Sequence, residues 1–145
     1  MANDAQTEIR DLVDRWQTAF RAKNVEGVMA VYAVGAELTA FDIVPPLQTT
    51  GAQSYRKNYE EVFAMDEGPL DVEVRDLKII AGSDTAFLHC LDRMSGTLAG
   101  GHRSDLWVRV TSGLQKIDGQ WRIAHDHISV PAHFESGAAA LDLRP

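Results

Sequence analysis

The chain has 145 residues, with 14 Lys and Arg against 21 Asp and Glu, for a net charge of −7. That length fits a single domain whose one hydrophobic core folds without a disulfide or metal staple. The lone cysteine, Cys90, excludes an internal disulfide and a Cys-based zinc cluster, and the acidic balance opposes the counterion release that drives nucleic-acid binding. The start, Met1-Ala2-Asn3-Asp4-Ala5-Gln6, lacks a basic and apolar signal segment, and the most apolar early run, Val28 to Ala36, is half a membrane span. A soluble, cytoplasmic protein with no membrane or nucleic-acid partner is expected.

Ile9, Leu12, Val13, Trp16, Ala19 and Phe20 recur at the spacing of one buried helical stripe. Asn24 reads as the N-cap of a short second helix through Val28, Met29, Val31 and Tyr32, stopped by Gly35. A strand over Glu37 to Ile43 ends at Asp42 or Ile43, before Pro45-Pro46. Thr50-Gly51-Ala52-Gln53 has the form of a capping box, followed by Tyr55, Tyr59, Val62 and Phe63 in a third helix to about Met65. From Leu70 onward the pattern is strand, with a parity slip that predicts a β-bulge near Arg75-Asp76. Turns divide the remainder into strands at roughly 85–94, 102–117 and 120–130, and Asp118-Gly119 is the strongest hairpin signal. Residues 1–131 form the predicted domain, and 132–145 a tail that is mobile or crosses a neighbouring subunit. Three helices followed by long antiparallel strands predict an α+β domain, in which a curved sheet wraps the helices into a cone with a pocket at its open end.

This order of elements resembles the nuclear transport factor 2 superfamily, the cystatin-like cone shared by ketosteroid isomerases and SnoaL-like polyketide cyclases. Two stretches carry the resemblance. Asp42 ends the first strand nine residues before Gly51, a position similar to that of the ketosteroid isomerase base. The ending Asp118-Gly119-Gln120-Trp121-Arg122-Ile123-Ala124-His125-Asp126-His127-Ile128-Ser129 is similar to the D-G-x-W-x-I-x-H-x-H-x-S close of SnoaL-like proteins. The likeness also implies two departures. Trp16 falls where the isomerases carry an oxyanion-hole tyrosine, and Thr111 falls where they carry a second, acidic donor. An indole N–H donates but cannot exchange its proton as a phenol does.

A carboxylate at the mouth of an apolar cone is desolvated, which raises its pKa and suits it to act as a base on a carbon acid. Asp42 is the leading candidate, the alternative being that it caps the Pro45-Pro46 turn through its own backbone. In the last strand Trp121, Ile123, His125 and His127 alternate with Ala124, Asp126 and Ile128. The resemblance turns the second set inward, making Asp126 an acid/base partner for Asp42, and leaves His125 and His127 on the convex face that commonly forms a dimer interface; the alternative is a surface Asp126 on an edge strand, since a one-residue slip inverts every side chain. It likewise turns Phe87, His89, Leu91 and Arg93 inward on one strand and Arg103, Asp105, Trp107, Arg109 and Thr111 on the next, with Cys90 on the opposite face. His89 would shuttle a proton, and Arg93 and Arg109 would steady an enolate or grip a carboxylate. For the arginines the alternative is ion pairing with Asp92, Asp105 or Glu73. Trp16, Tyr32, Tyr55 and Tyr59 would line the cavity from the helices, with Trp107 contributing from the sheet.

His125 and His127 would hold a metal only with a third ligand from His89, His102 or His133, so they read as hydrogen-bonding histidines and no metal is expected. No G-x-S-x-G elbow, P-loop or G-x-G-x-x-G motif is present, and no cofactor is expected. The resemblance implies a cofactor-independent isomerase, cyclase or dehydratase acting on a small hydrophobic carbonyl compound, most naturally as a homodimer. The alternative is a non-catalytic ligand-binding or oligomerisation module, since the association domains of calmodulin-dependent kinases resemble the same cone and share a related H-x-H-x-S ending.

Overall fold

In the computed structural model, which describes residues 2–145, the first amphipathic stripe forms α1 (Ala2–Arg21) and buries Ile9, Leu12, Val13, Ala19 and Phe20. Met1, the first residue of the amino-terminal run read above, lies outside the described residues. The side-chain oxygen of Asn24 accepts the N–H of Gly27 at 3.1 Å and opens α2 (Val25–Met29), as its sequence position predicts. A 3-10 turn at Gly35–Glu37 takes up the start of the expected first strand, which shortens to β1 (Thr39–Phe41).

The capping box does not form. Thr50 belongs to a two-residue strand, β2 (Thr49–Thr50), where it pairs with Thr39, so its hydroxyl is not the cap of α3 (Ala52–Met65). Gly51 takes the N-cap position at φ 92°, a conformation that favours glycine, and its N–H bonds the Leu38 carbonyl at 2.8 Å.

Four long strands follow: β3 (Asp71–Ala81), β4 (Thr85–Thr97), β5 (Arg103–Ile117) and β6 (Gln120–Ser129). The sheet order is β2-β1-β6-β5-β4-β3, with β1 parallel to β6 and every other pair antiparallel. The predicted irregularity in β3 lies between Arg75 and Lys78, with Asp76 at φ 56°. Asp118 and Gly119 both have positive φ, the requirement of a type I′ hairpin. A second irregularity was not foreseen: Gly113 pairs with His125 but Leu114 with Ile123, which leaves Ala124 as an extra residue in β6.

The architecture is α+β, three helices on a six-stranded mixed sheet that does not close. The core joins both layers, with Ile9, Leu12, Val28 and Tyr55 from the helical side meeting Val72, Leu88, Leu114 and Ile123 from the sheet. The tail turns back at a bridge between Ala132 and Ala139, buries Ala140, and brings Arg144 within 3.6 Å of Asp105. Among the described residues no helix is long and apolar enough to cross a membrane.

Candidate active site

Between the helices and the inner face of the sheet lies a cavity of about 190 Å³. From α1 it is lined by Leu12, Val13, Trp16 and Phe20, and from α3 by Tyr55, Asn58, Tyr59 and Val62. The sheet contributes Leu88, Cys90, Asp92 and Met94 from β4, Val108, Val110 and Ser112 from β5, and Asp126 and Ile128 from β6. Tyr32 follows α2, and the segment Asp42-Ile43-Val44 after β1, with Val74 of β3 and Ile123 of β6, completes the wall. Three carboxylates therefore face an otherwise mostly apolar space that, among the described residues, no Lys, Arg or His lines.

Asp126 is 4% exposed and accepts three hydroxyl hydrogen bonds. Ser112 donates to its Oδ1 at 2.5 Å, and Tyr32 and Tyr55 donate to its Oδ2 at 2.7 and 3.2 Å. The chain extends outward in one direction. Trp16 can only donate, and its Nε1 lies 3.1 Å from the Tyr59 hydroxyl oxygen. Because Tyr32 gives its single proton to the Asp126 carboxylate, Tyr59 must donate across the 2.7 Å gap to Tyr32. Burial raises the Asp126 pKa, and the three hydroxyl donors oppose that rise without cancelling it. The same burial, together with the Asp126 charge, pushes Tyr32 and Tyr55 well above the usual phenol range.

Asp42 is half-buried, at the open end of the cavity. Its Oδ1 accepts the N–H of the next residue, Ile43, at 2.7 Å, which is not a cap of the Pro45-Pro46 turn, and its side chain lines the cavity. Its pKa is raised, chiefly by burial and further by the charge of Asp126. Asp92 is 5% exposed and, among the described residues, bonded only by the Cys90 thiol, 3.3 Å from Oδ1. Burial raises it to about 6, with Asp126 pushing the same way, and the Cys90 thiol is pushed up by burial and by Asp92.

These shifts set a direction for stability. Asp92 in the folded state holds its proton up to about pH 6, whereas the unfolded chain releases it near 3.8. The stabilising contribution is thus complete below about pH 4 and is lost as pH rises through about 6, a change of about 3 kcal/mol at about 1.36 kcal/mol per pKa unit. Asp42 and Asp126 act in the same sense. Urea unfolding should therefore show lower stability at pH 8 than at pH 5, and Asp92→Asn should reduce the difference. A wild-type profile that rises over this interval would contradict the assignment.

The sequence of residues 9–133 matches the family model described as SnoaL-like domain. The chain belongs to the SnoaL-like domain family. Over its whole length this SnoaL-like domain is similar to an NTF2-like protein of unknown function from Pseudomonas putida KT2440, at 33% identity, with 99% of that chain covered and a TM-score of 0.89. It shares its fold with a candidate scytalone dehydratase from Novosphingobium aromaticivorans DSM 12444, at 14% identity, a TM-score of 0.78 and coverage of 97% of this chain and 95% of that one. It shares it also with a candidate calcium/calmodulin-dependent protein kinase II association domain from Xanthomonas campestris, at 20% identity, a TM-score of 0.74 and 87% coverage of each chain. No curated protein matches the chain in sequence.

Of the residues singled out from its sequence, the SnoaL-like domain gathers Asp42, Asp126, Trp16, Tyr32, Tyr55 and Tyr59 around the cavity. His89, Arg93, Trp107 and Arg109 are not there. They stand on the outer face of the sheet, His89 opposite Thr111, Leu91 opposite Arg109 and Arg93 opposite Trp107. His89 and Arg109 are exposed, Arg93 is clamped by Asp105 through two hydrogen bonds of 2.9 and 2.8 Å, and Arg109 bonds the Ser129 hydroxyl at 3.1 Å. The inward set on β4 is instead Leu88, Cys90, Asp92 and Met94, so Cys90 faces the cavity rather than away from it. Asp92, read from sequence only as a partner for the arginines, and Ser112 were missed. In β6 the extra Ala124 lets Trp121 and Ile123 face inward together with Asp126 and Ile128. His125 and His127 flank Phe41 on the outer face, and His125 Nδ1 lies 2.6 Å from the Thr39 carbonyl. Trp16, at the position that resembles the oxyanion-hole tyrosine of the isomerases, already gives its N–H to Tyr59.

Proposed function

We propose that this SnoaL-like domain is a proton-transfer enzyme of the isomerase or dehydratase type, acting without a cofactor on a small, largely apolar carbonyl compound in the cavity. The observation that carries this reading is Asp42. It sits at the edge of an apolar chamber with one carboxylate oxygen held by Ile43 and the other uncommitted, and burial makes it a stronger base than an exposed aspartate. That free oxygen takes a proton from the carbon alpha to the carbonyl, and the C–H electron pair moves into the enolate. Returning the proton to a different carbon gives isomerisation. Expelling a β-hydroxyl, which leaves with a proton as water, gives dehydration. Asp126 fixes the tyrosines around the substrate and, with Asp92, is a further acid within the chamber.

The test is proton exchange in D2O, followed by NMR over a panel of hydrophobic enones and hydroxy-ketones. Catalysed deuteration at the alpha carbon of at least one compound is expected. Ligand-induced shifts of cavity resonances with no exchange across the panel would instead favour a binding module.

A further inference from the structure

The hydrogen-bond inventory of the cavity is lopsided. The Trp16 N–H is committed to Tyr59, and the hydroxyls of Tyr59, Tyr32, Tyr55 and Ser112 end on Asp126. The Cys90 thiol is committed to Asp92, and one N–H of the Asn58 amide to Thr49 at 3.3 Å. The free valences are mainly acceptors, the second oxygens of Asp42 and Asp92. Asp92 is 5% exposed and turned into the chamber, and its Oδ2 has no hydrogen-bond partner among the described residues. A thiol is a weak donor, so the protein gives this carboxylate little compensation, and its second oxygen is open to the cavity, where a ligand can reach it.

We propose that the cavity's ligand carries a protonated amine, seated on Asp92, with an apolar body packed on the ring side chains. A hydroxyl donor would satisfy an oxygen of Asp92 and leave its charge uncompensated. An ammonium group does both, and Trp16, Phe20, Tyr55 and Tyr59 line the same cavity, aromatic side chains of the kind that hold organic cations. Carboxylates and phosphates are excluded by the same three acids, since no lining residue carries positive charge. The inference rests on the cavity being the ligand site of the proposed function and does not depend on the proton-transfer step.

The test compares single-ring probes of one shape and different charge, benzylammonium, benzyl alcohol and benzoate, by calorimetric titration at about pH 7.5. Benzylammonium is expected to bind at least about tenfold more tightly than benzyl alcohol, and benzoate not at all. Asp92→Asn should abolish that preference, while Glu61→Gln, on the exposed surface of α3, should keep it. A second readout needs no variant. At about pH 6 benzylammonium should release protons, measured in two buffers of different ionisation enthalpy, whereas benzyl alcohol should release none. The titratable groups facing the cavity are Asp42, Asp92, Asp126, Cys90, Tyr32, Tyr55 and Tyr59; burial raises all three carboxyls, Asp92 to about 6, and loss of the release in Asp92→Asn assigns it to Asp92. Equal affinity for the alcohol, no saturation by benzylammonium, or a preference that survives Asp92→Asn each overturns the inference. An intact preference in a protein that exchanges no ketone proton removes the catalytic reading alone, and exchange without the preference removes this one alone.

Discussion

Asp42→Asn is expected to lower catalysed alpha-proton exchange by about 10²–10⁴-fold, the range over which a positioned general base acts, while leaving the fold in place. The amide retains an oxygen to accept the Ile43 N–H, so the turn after β1 keeps its local hydrogen bond. What disappears is the uncommitted basic oxygen. Stability at pH 8 should rise slightly or stay level, because burial penalises the ionised form of this residue and the amide has no charge to desolvate. The complementary measurement on the wild type is a carboxyl-labelled NMR titration. The Asp42 midpoint should lie above 3.8 and move when a ligand that excludes water from the chamber is added. A variant that retains the wild-type rate would transfer the role of base to Asp126 or Asp92.

The elements of this domain were largely legible in its sequence because their signals are local. The stripe from Ile9 to Phe20, the Asn24 cap, the slip at Arg75-Asp76 and the Asp118-Gly119 turn each depend on neighbouring residues, and each is found where the pattern puts it. Facing is a different matter, since it depends on register carried over many residues. A hairpin running unbroken from Asp118-Gly119 would set Asp126 opposite Thr111. The extra residue Ala124 sets it opposite Ser112 instead, and with Asp126 turned inward every even position in the middle of β5 turns inward too. The antiparallel register between β5 and β4 passes this on, pairing Val110 with Cys90 and Val108 with Asp92, while Arg109 and His89 go out. Composition could not correct the error. Both parities of β4 are apolar, Phe87 and Leu91 against Leu88 and Met94, so hydrophobic alternation does not choose between them. The informative signal was Gly113, opposite the bulge, where a strand otherwise rich in side chains has none. The helical aromatics were easier, because a period of 3.6 tolerates a single misplaced residue better than a period of two.

Asp126→Ala is expected to lower stability by about 3–5 kcal/mol, the scale on which breaking a buried, charge-assisted hydrogen-bond network acts. Three hydroxyls lose their acceptor at once. Tyr32 can turn its proton toward Tyr59, but Tyr59 then receives from both Tyr32 and Trp16 and its own proton has no partner along the chain. Ser112 and Tyr55 are likewise left without the carboxylate oxygens they now meet. Relief of a desolvated charge offsets part of this loss, and more of it at pH 8 than at pH 5, where the native carboxyl holds its proton more readily than an exposed aspartate would. Asp126→Asn separates the two contributions. Its carbonyl can face the tyrosine pair while its amide donates to Ser112, whose hydroxyl rotates to accept, so the network survives with the charge removed and about 1 kcal/mol or less should be lost. Urea unfolding of both variants at pH 5 and pH 8 measures this. An alanine variant as stable as the asparagine variant would mean that the hydroxyls find other acceptors. The same asparagine variant separates the two acids in function. If Asp126 acts by positioning the tyrosines, Asp126→Asn keeps most of the exchange that Asp42→Asn abolishes, and the reverse order would make Asp126 the base.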